Sequence, residues 1–300
     1  MVSEERSLGL RRRQRRRRSR EILAAVVVIV MMAGCAVDRI SERVLVVGSE
    51  SDSLAVLLAD IYATALRSSG AQVRVEPASD PLAKLDSGAF DVVPSFTGSV
   101  LRALVPGASV RSDVSVYQAM LGALPEGIAA GDYATAAEDK PALVLTQTTA
   151  QAWGSTDLSA IPVHCRGLVV GAVAGVSTPT AVGRCQLPQS PKSDEFPDQA
   201  TLLAAVRSGQ ITAGWTTTTD PGIPADVVVL VDRVPALVQA ENVVPLYRRH
   251  ELTDRQLLAI NEIAGVLDTA ALIDMRRQLG RGADARVVTQ SWLAEHPLGR

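Results

Sequence analysis

Three cysteines, three histidines and a run of four threonines are the side chains here that could do chemistry. Cys165 and Cys185 are suited to form a disulfide. In an oxidising compartment their bridge would close a loop of about twenty residues, worth about 3 kcal/mol in the chain-entropy account; two free thiols are the alternative. His164, His250 and His296 are scattered, and no Cys-x-x-Cys pair occurs, so nothing supports a metal or a cofactor. A Gly-x-Ser-x-Gly elbow and a phosphate loop are both missing, which argues against an enzyme. Thr216 to Thr219 offer four adjacent hydroxyls, the chemistry of hydrogen bonding to a polar, uncharged solute. Aromatic residues are only 3% of the chain, so any pocket of rings has few candidates: Phe96, Trp215, Tyr133 and Trp153.

The amino-terminal region bears on the compartment. Arg11 to Arg13, Arg15 to Arg18 and Arg20 precede the apolar run Ile22 to Met32. That run is too short to cross a hydrocarbon layer of about 30 Å. A basic segment followed by a short apolar core is the layout of an export signal. It closes on Met32-Ala33-Gly34-Cys35, which resembles the bacterial lipobox. The resemblance implies a signal peptide over 1–34, a diacylglyceryl group on Cys35, a tether over 35–42 and anchorage on the extracytoplasmic face of a membrane. Residues 1–34 hold nine arginines and three glutamates, so residues 35–300 carry 21 basic and 29 acidic side chains, a net charge of −8. That balance argues against a nucleic-acid partner.

Behind the tether the periodicity alternates between strand and helix. Val44–Val47 reads as a strand, Leu54–Leu66 as a helix stopped by Gly70, Gln72–Glu76 as a strand, Asp80–Gly88 as a helix and Asp91–Val93 as a strand. Ala142–Leu145, Leu168–Val173 and Ile211–Trp215 read as further strands, with helices over Thr146–Trp153 and Thr201–Arg207. The Pro-, Gly- and Ser-rich stretch 175–196 reads as a surface loop. Asp226–Val231 and Val243–Tyr247 are strands, and Thr253–Leu267, Asp268–Leu279 and Ala285–Glu295 are helices. This order implies α/β layers with parallel strands and crossover helices. It fits two lobes joined by crossing strands and equally one doubly wound domain.

Four stretches stand out: Val46-Val47-Gly48-Ser49 with Ile61-Tyr62; Leu85 to Leu101, containing Asp91-Val92-Val93-Pro94 and Phe96-Thr97-Gly98; Leu203 to Asp220-Pro221; and Glu241-Asn242-Val243-Val244-Pro245 with Trp292-Leu293. Together they resemble the substrate-binding proteins of osmoprotectant importers, the glycine betaine, choline and proline betaine type. The resemblance spans roughly 43–297. It implies the two-lobed type II periplasmic-binding-protein fold, each lobe a mainly parallel sheet flanked by helices, with two crossover strands at the hinge. Lobe 1 would be 43–138 plus 222–300 and lobe 2 139–221. The partners it implies are a small solute, such as a quaternary amine or another polar compound, and the permease of an ABC importer. The chain is expected to act as a monomer. A lipid-anchored sensor built on the same fold is the alternative role.

Members of that family hold a quaternary ammonium among aromatic rings by cation–π attraction. Phe96 keeps one ring here, but Ser95 stands where the family has an acid, Pro141 and Thr217 stand where it has aromatics, and Glu50 replaces its lysine. The residues expected at the ligand are therefore Ser49, Phe96, Thr97, Trp215, Thr217 and Thr218; the alternatives are lobe packing for Phe96 and Trp215, capping of the following helix for Thr97 and a plain crossover for Thr217 and Thr218. Too few rings remain for strong glycine betaine binding, with Tyr133 and Trp153 as candidates to rebuild the cage.

Overall fold

A computed structural model describes residues 43–187 and 195–299. The expected signal peptide, Cys35 and the tether lie outside these residues. Val44–Arg300 forms one compact unit, and all four described apolar clusters fall inside it.

The first sheet is built from β1 (Leu45–Ser49), β2 (Val73–Pro77), β3 (Val92–Phe96), β4 (Ile128–Ala130) and β12 (Val243–Arg248), in the order β2-β1-β3-β12-β4. Every residue of β1 is buried, because helices cover both faces and a strand buried on both sides needs an unbroken apolar run. Leu45 and Val47 pack with α1 (Ser53–Ser68), α8 (Asp254–Val266), α9 (Thr269–Gly280) and α10 (Ala285–Glu295), while Val46 packs on the opposite face. That opposite face is covered by α2 (Pro81–Asp86), α3 (Thr97–Leu104) and α4 (Asp113–Ala123). Gly48 is needed because a Cβ there would stand 2.0 Å from the Phe90 ring. Side-chain caps start the helices: Asp52 for α1, Asp80 for α2 and a Thr253–Gln256 capping box for α8, each satisfying amides that have no partner within the helix.

The second sheet has the order β11-β5-β10-β6-β9, from β5 (Pro141–Thr146), β6 (Val170–Val173), β9 (Glu195–Phe196), β10 (Ala213–Thr217) and β11 (Val227–Val229). The helices α5 (Gln147–Trp153), α6 (Ala160–Val163) and α7 (Gln199–Ser208) belong to this half. The described part of stretch 175–196 is not only loop. It contains the hairpin of β7 (Ala181–Val182) and β8 (Cys185–Gln186), and Cys185 is joined to Cys165 by a disulfide with a Cα–Cα distance of 5.7 Å.

Two expectations need correction. Parallel pairing holds for only half of each sheet: β2-β1-β3 and β10-β6-β9 are parallel, whereas β3-β12-β4 and β11-β5-β10 are antiparallel. The antiparallel strands lie where the chain leaves one sheet and later returns to it. In addition, residues 222–231 do not rejoin the first sheet. The chain turns at Thr217–Asp220, where Asp220 N–H donates to the Thr217 carbonyl at 3.2 Å. It then runs back as β11 along β5, because three successive valines find their ladder on that free edge. The return to the first sheet comes near Glu241–Asn242, where Glu138 bridges Asn242.

Candidate ligand-binding site

The carboxyl ends of β1, β2 and β3 lead directly into the amino ends of α1, α2 and α3. Ligands of open α/β sheets bind at this end of the strands. A cavity of about 520 Å³ opens here, lined among others by Glu50, Asp52, Asp80, Ser95, Phe96 and Ser99. A second cavity, of about 300 Å³, lies in the other lobe against Trp215, Thr178, Thr180 and Glu195.

The structure sorts the expected site residues into four places. Phe96 is half-buried and lines the first cavity. Ser49 is 1% exposed, and among the described residues its hydroxyl has no hydrogen-bond partner, but it does not line that cavity. Thr97 is fully buried and its hydroxyl accepts from Asn242 N–H at 3.1 Å, so this side chain ties two strands rather than capping α3. Trp215 belongs to the core of the second lobe and also lines its cavity. Thr217 ends β10 beside Pro141. Thr218 is held at the seam, its hydroxyl donating to the Glu138 carbonyl at 2.9 Å and accepting from Lys140 N–H at 3.2 Å. Tyr133 packs at a tilt against Tyr117 and Trp153 stacks on His164, with centroids 4.5 and 4.4 Å apart, and neither ring lines the two cavities.

The seam between the sheets is a polar clasp. Arg276 of α9 donates to the Thr219 carbonyl at 2.9 Å, and Asp139 accepts from Thr219 N–H at 3.2 Å. The Lys140 ammonium lies 3.2 Å from Glu138 and 3.8 Å from Asp232. Lys140, next to the Pro141 that stands where the resemblance expects a ring, is thus committed to holding the crossover.

Sequence reasoning missed the most consequential polar residue. Glu241 is 3% exposed, and its carboxylate accepts from Ser99 N–H at 2.8 Å and pairs with Arg102. It occupies the amino end of α3, a helix with no side-chain cap of its own, where the helix dipole favours a negative charge. Burial raises its pKa above the ordinary carboxylate value, against the lowering by Arg102 and Ser99. Removing the charge is therefore expected to cost little: Glu241→Gln should stay within about 1 kcal/mol of the parent at neutral pH. Glu241→Ala, which leaves the Ser99 amide unmet, should lose about 1–3 kcal/mol. Because the folded chain holds this proton more tightly than the unfolded one, Glu241 favours folding most at acid pH. That contribution fades as pH rises from the ordinary carboxylate range through the raised value. Urea unfolding across pH checks this, and the Gln variant should lack that part of the slope.

Two α/β lobes, cavities at the strand ends and a chain that crosses between the lobes together define a bilobal solute-binding protein. Over residues 43–295 the sequence matches the family described as the substrate-binding domain of ABC-type glycine betaine transport systems, and the chain belongs to that family. It is thus a solute-binding receptor of an ABC importer. Among solved structures it resembles a glycine betaine/carnitine/choline ABC transporter protein (14% identity, 84% of this chain and 98% of that one, TM-score 0.66). It also resembles apo YehZ from Escherichia coli (17%, 84% and 98%, TM-score 0.65). A third likeness is to an ABC-transporter choline-binding protein in complex with choline (15%, 86% and 90%, TM-score 0.53). No curated protein matches the sequence.

Proposed function

We propose that this receptor is anchored through Cys35 on the extracytoplasmic face of a membrane, works as a monomer, and captures an organic ammonium solute for its permease. The observation that carries the ligand class is the first-lobe cavity, where the Phe96 ring sits among Glu50, Asp52 and Asp80. A ring and carboxylates together suit an ammonium group, by cation–π attraction and by charge. The likeness to a choline-binding protein supports the same class.

Thermal unfolding of the chain from Ala36 against quaternary amines, amino acids, sugars and polyphenols tests the proposal. A ligand at a hundredfold excess over its Kd is expected to stabilise the fold by about 2.7 kcal/mol. A shift with ammonium compounds supports the reading; a shift with sugars or polyphenols alone overturns it. For the anchor, Cys35→Ala is expected to move the protein out of the membrane fraction, and unchanged membrane association would count against lipidation.

A further inference from the structure

The first-lobe cavity is larger and differently charged than a trimethylammonium head alone requires. Its volume of about 520 Å³ lies in the range of roughly 300–1,000 Å³ that holds drug-sized ligands. It continues inward as a slot between two helices. One wall is α2, from the cap Asp80 through Pro81 and Leu82 to Asp86; at 1.5 Å of rise per residue that wall is about 9 Å long. The other wall is a single face of α3, with Ser99, Val100, Ala103 and Leu104. Val93 and Leu246 add apolar lining from the same face of the sheet, and Leu58 adds more from α1.

The charges around this slot have one sign. Among the described residues Glu50, Asp52, Asp80 and Asp86 line it, and no lysine, arginine or histidine does. Asp52 and Asp80 also cap α1 and α2, which offsets part of their charge, while Glu50 and Asp86 are exposed. The nearby guanidinium of Arg102 is bound to Glu241, Gln239 and Ser99, and that of Arg248 to the backbone of Leu85 and Asp86. Two of the amides at the start of α3, where a ligand carboxylate would be welcome, are spent as well. Thr97 N–H donates to the Asn242 carbonyl at 2.9 Å and Ser99 N–H to the Glu241 carboxylate at 2.8 Å.

We infer that the slot selects an organic cation carrying an apolar chain or ring and no carboxylate, its ammonium at Phe96 and Glu50 and its apolar body between α2 and α3. This rests on the receptor reading and sharpens it: a zwitterion such as glycine betaine brings an anion to a site whose described lining supplies carboxylates and no cation.

The test is isothermal titration of the chain from Ala36 with choline, hexyltrimethylammonium, the trimethylammonio-carboxylate of matching chain length, and 1-hexanol. Hexyltrimethylammonium is expected to bind at least about tenfold tighter than choline and than the matched zwitterion, about 1.4 kcal/mol in each comparison, and 1-hexanol should bind far more weakly. Glu50→Lys should lower cation affinity and narrow the gap to the zwitterion. Ala103→Trp, at an exposed position on the slot wall, should bring the hexyl-to-choline ratio toward one. Equal or tighter binding of the zwitterion, equal binding of 1-hexanol, or no gain with chain length would each overturn the inference. Binding of zwitterions alone would do so while leaving the receptor reading intact. Silence across the wider panel above would bring down both.

Discussion

Replacing Cys165 and Cys185 by alanine is expected to cost about 3 kcal/mol, the loop-closure value for a bridge spanning some twenty residues. The observed separation is 20 residues. The loss should also be local. The bridge joins the segment after α6 to β8, and the hairpin of β7 and β8 follows the loop 175–180, much of which lines the second-lobe cavity. This region packs only short elements: α6 has four residues, and β7 and β8 have two each. Elements that short hold little apolar surface, so the covalent link carries a large share of their order. Hydrogen exchange should therefore show protection falling between about residue 160 and residue 187, with the first sheet little changed. A variant with unaltered stability, or one whose two lobes loosen equally, would contradict that assignment.

Much of this fold can be read from the sequence, because long amphipathic helices and buried strands leave periodic marks. The last helix, Ala285–Glu295, has the expected bounds, and its neighbours differ by a residue or two. The failures have physical causes. Helix α4 escaped because its apolar residues surround the axis: Val116 and Met120 are buried, while Val114 and Leu121 are exposed, so no stripe stands out. Strand β4 has three residues, too few to show a period. For β11 the element was legible but its sheet was not. A run of valines announces a strand, and only the edge available to it decides which ladder it joins.

The candidate site was legible in a different way. Phe96, Gly48 and Gly98 stood in the stretches that carry the resemblance, and the structure gives the two glycines a reason in ring and backbone contacts. Glu241 was quoted in the sequence but had no visible role, because its partners Ser99 and Arg102 lie about 140 positions away and only the return of the chain brings them together. Asp80 read as the start of a helix, and its carboxylate caps that helix as Asp52 caps the one before it. Their second location, on the wall of a cavity, depends on α1 and α2 ending at the same edge of the sheet.

Gly98→Ala is expected to be among the most damaging single-methyl changes in the chain. A Cβ at this position would lie 2.5 Å from the Ala240 carbonyl oxygen and 2.8 Å from the Glu241 carboxyl carbon. The first contact is with backbone, so a rotamer change gives no relief. Nor is the opposing strand free to retreat, because Ala240 N–H donates to the Arg111 carbonyl at 3.0 Å and Asn242 is bonded to Thr97 in both directions. Either α3 or the returning strand must move, which strains the Thr97–Asn242 pair and the Ser99–Glu241 bond together. Overpacking of this kind costs about 1–3 kcal/mol, and strain on the Ser99–Glu241 bond adds part of the about 1–3 kcal/mol its complete loss would cost, so a loss of about 2–4 kcal/mol is expected. Ligand affinity should fall with it, since Phe96 and Ser99 flank the displaced residue and line the cavity. Gly122→Ala in α4 is the matched control. Nothing lies within 4 Å of its added Cβ, and alanine should gain about 0.5–1 kcal/mol through helix propensity. Urea unfolding and ligand titration of the two variants separate the outcomes: opposite signs in stability, with binding impaired only at Gly98, follow from the close approach of Ala240, whereas equal behaviour would mean that the returning strand does not press on the start of α3.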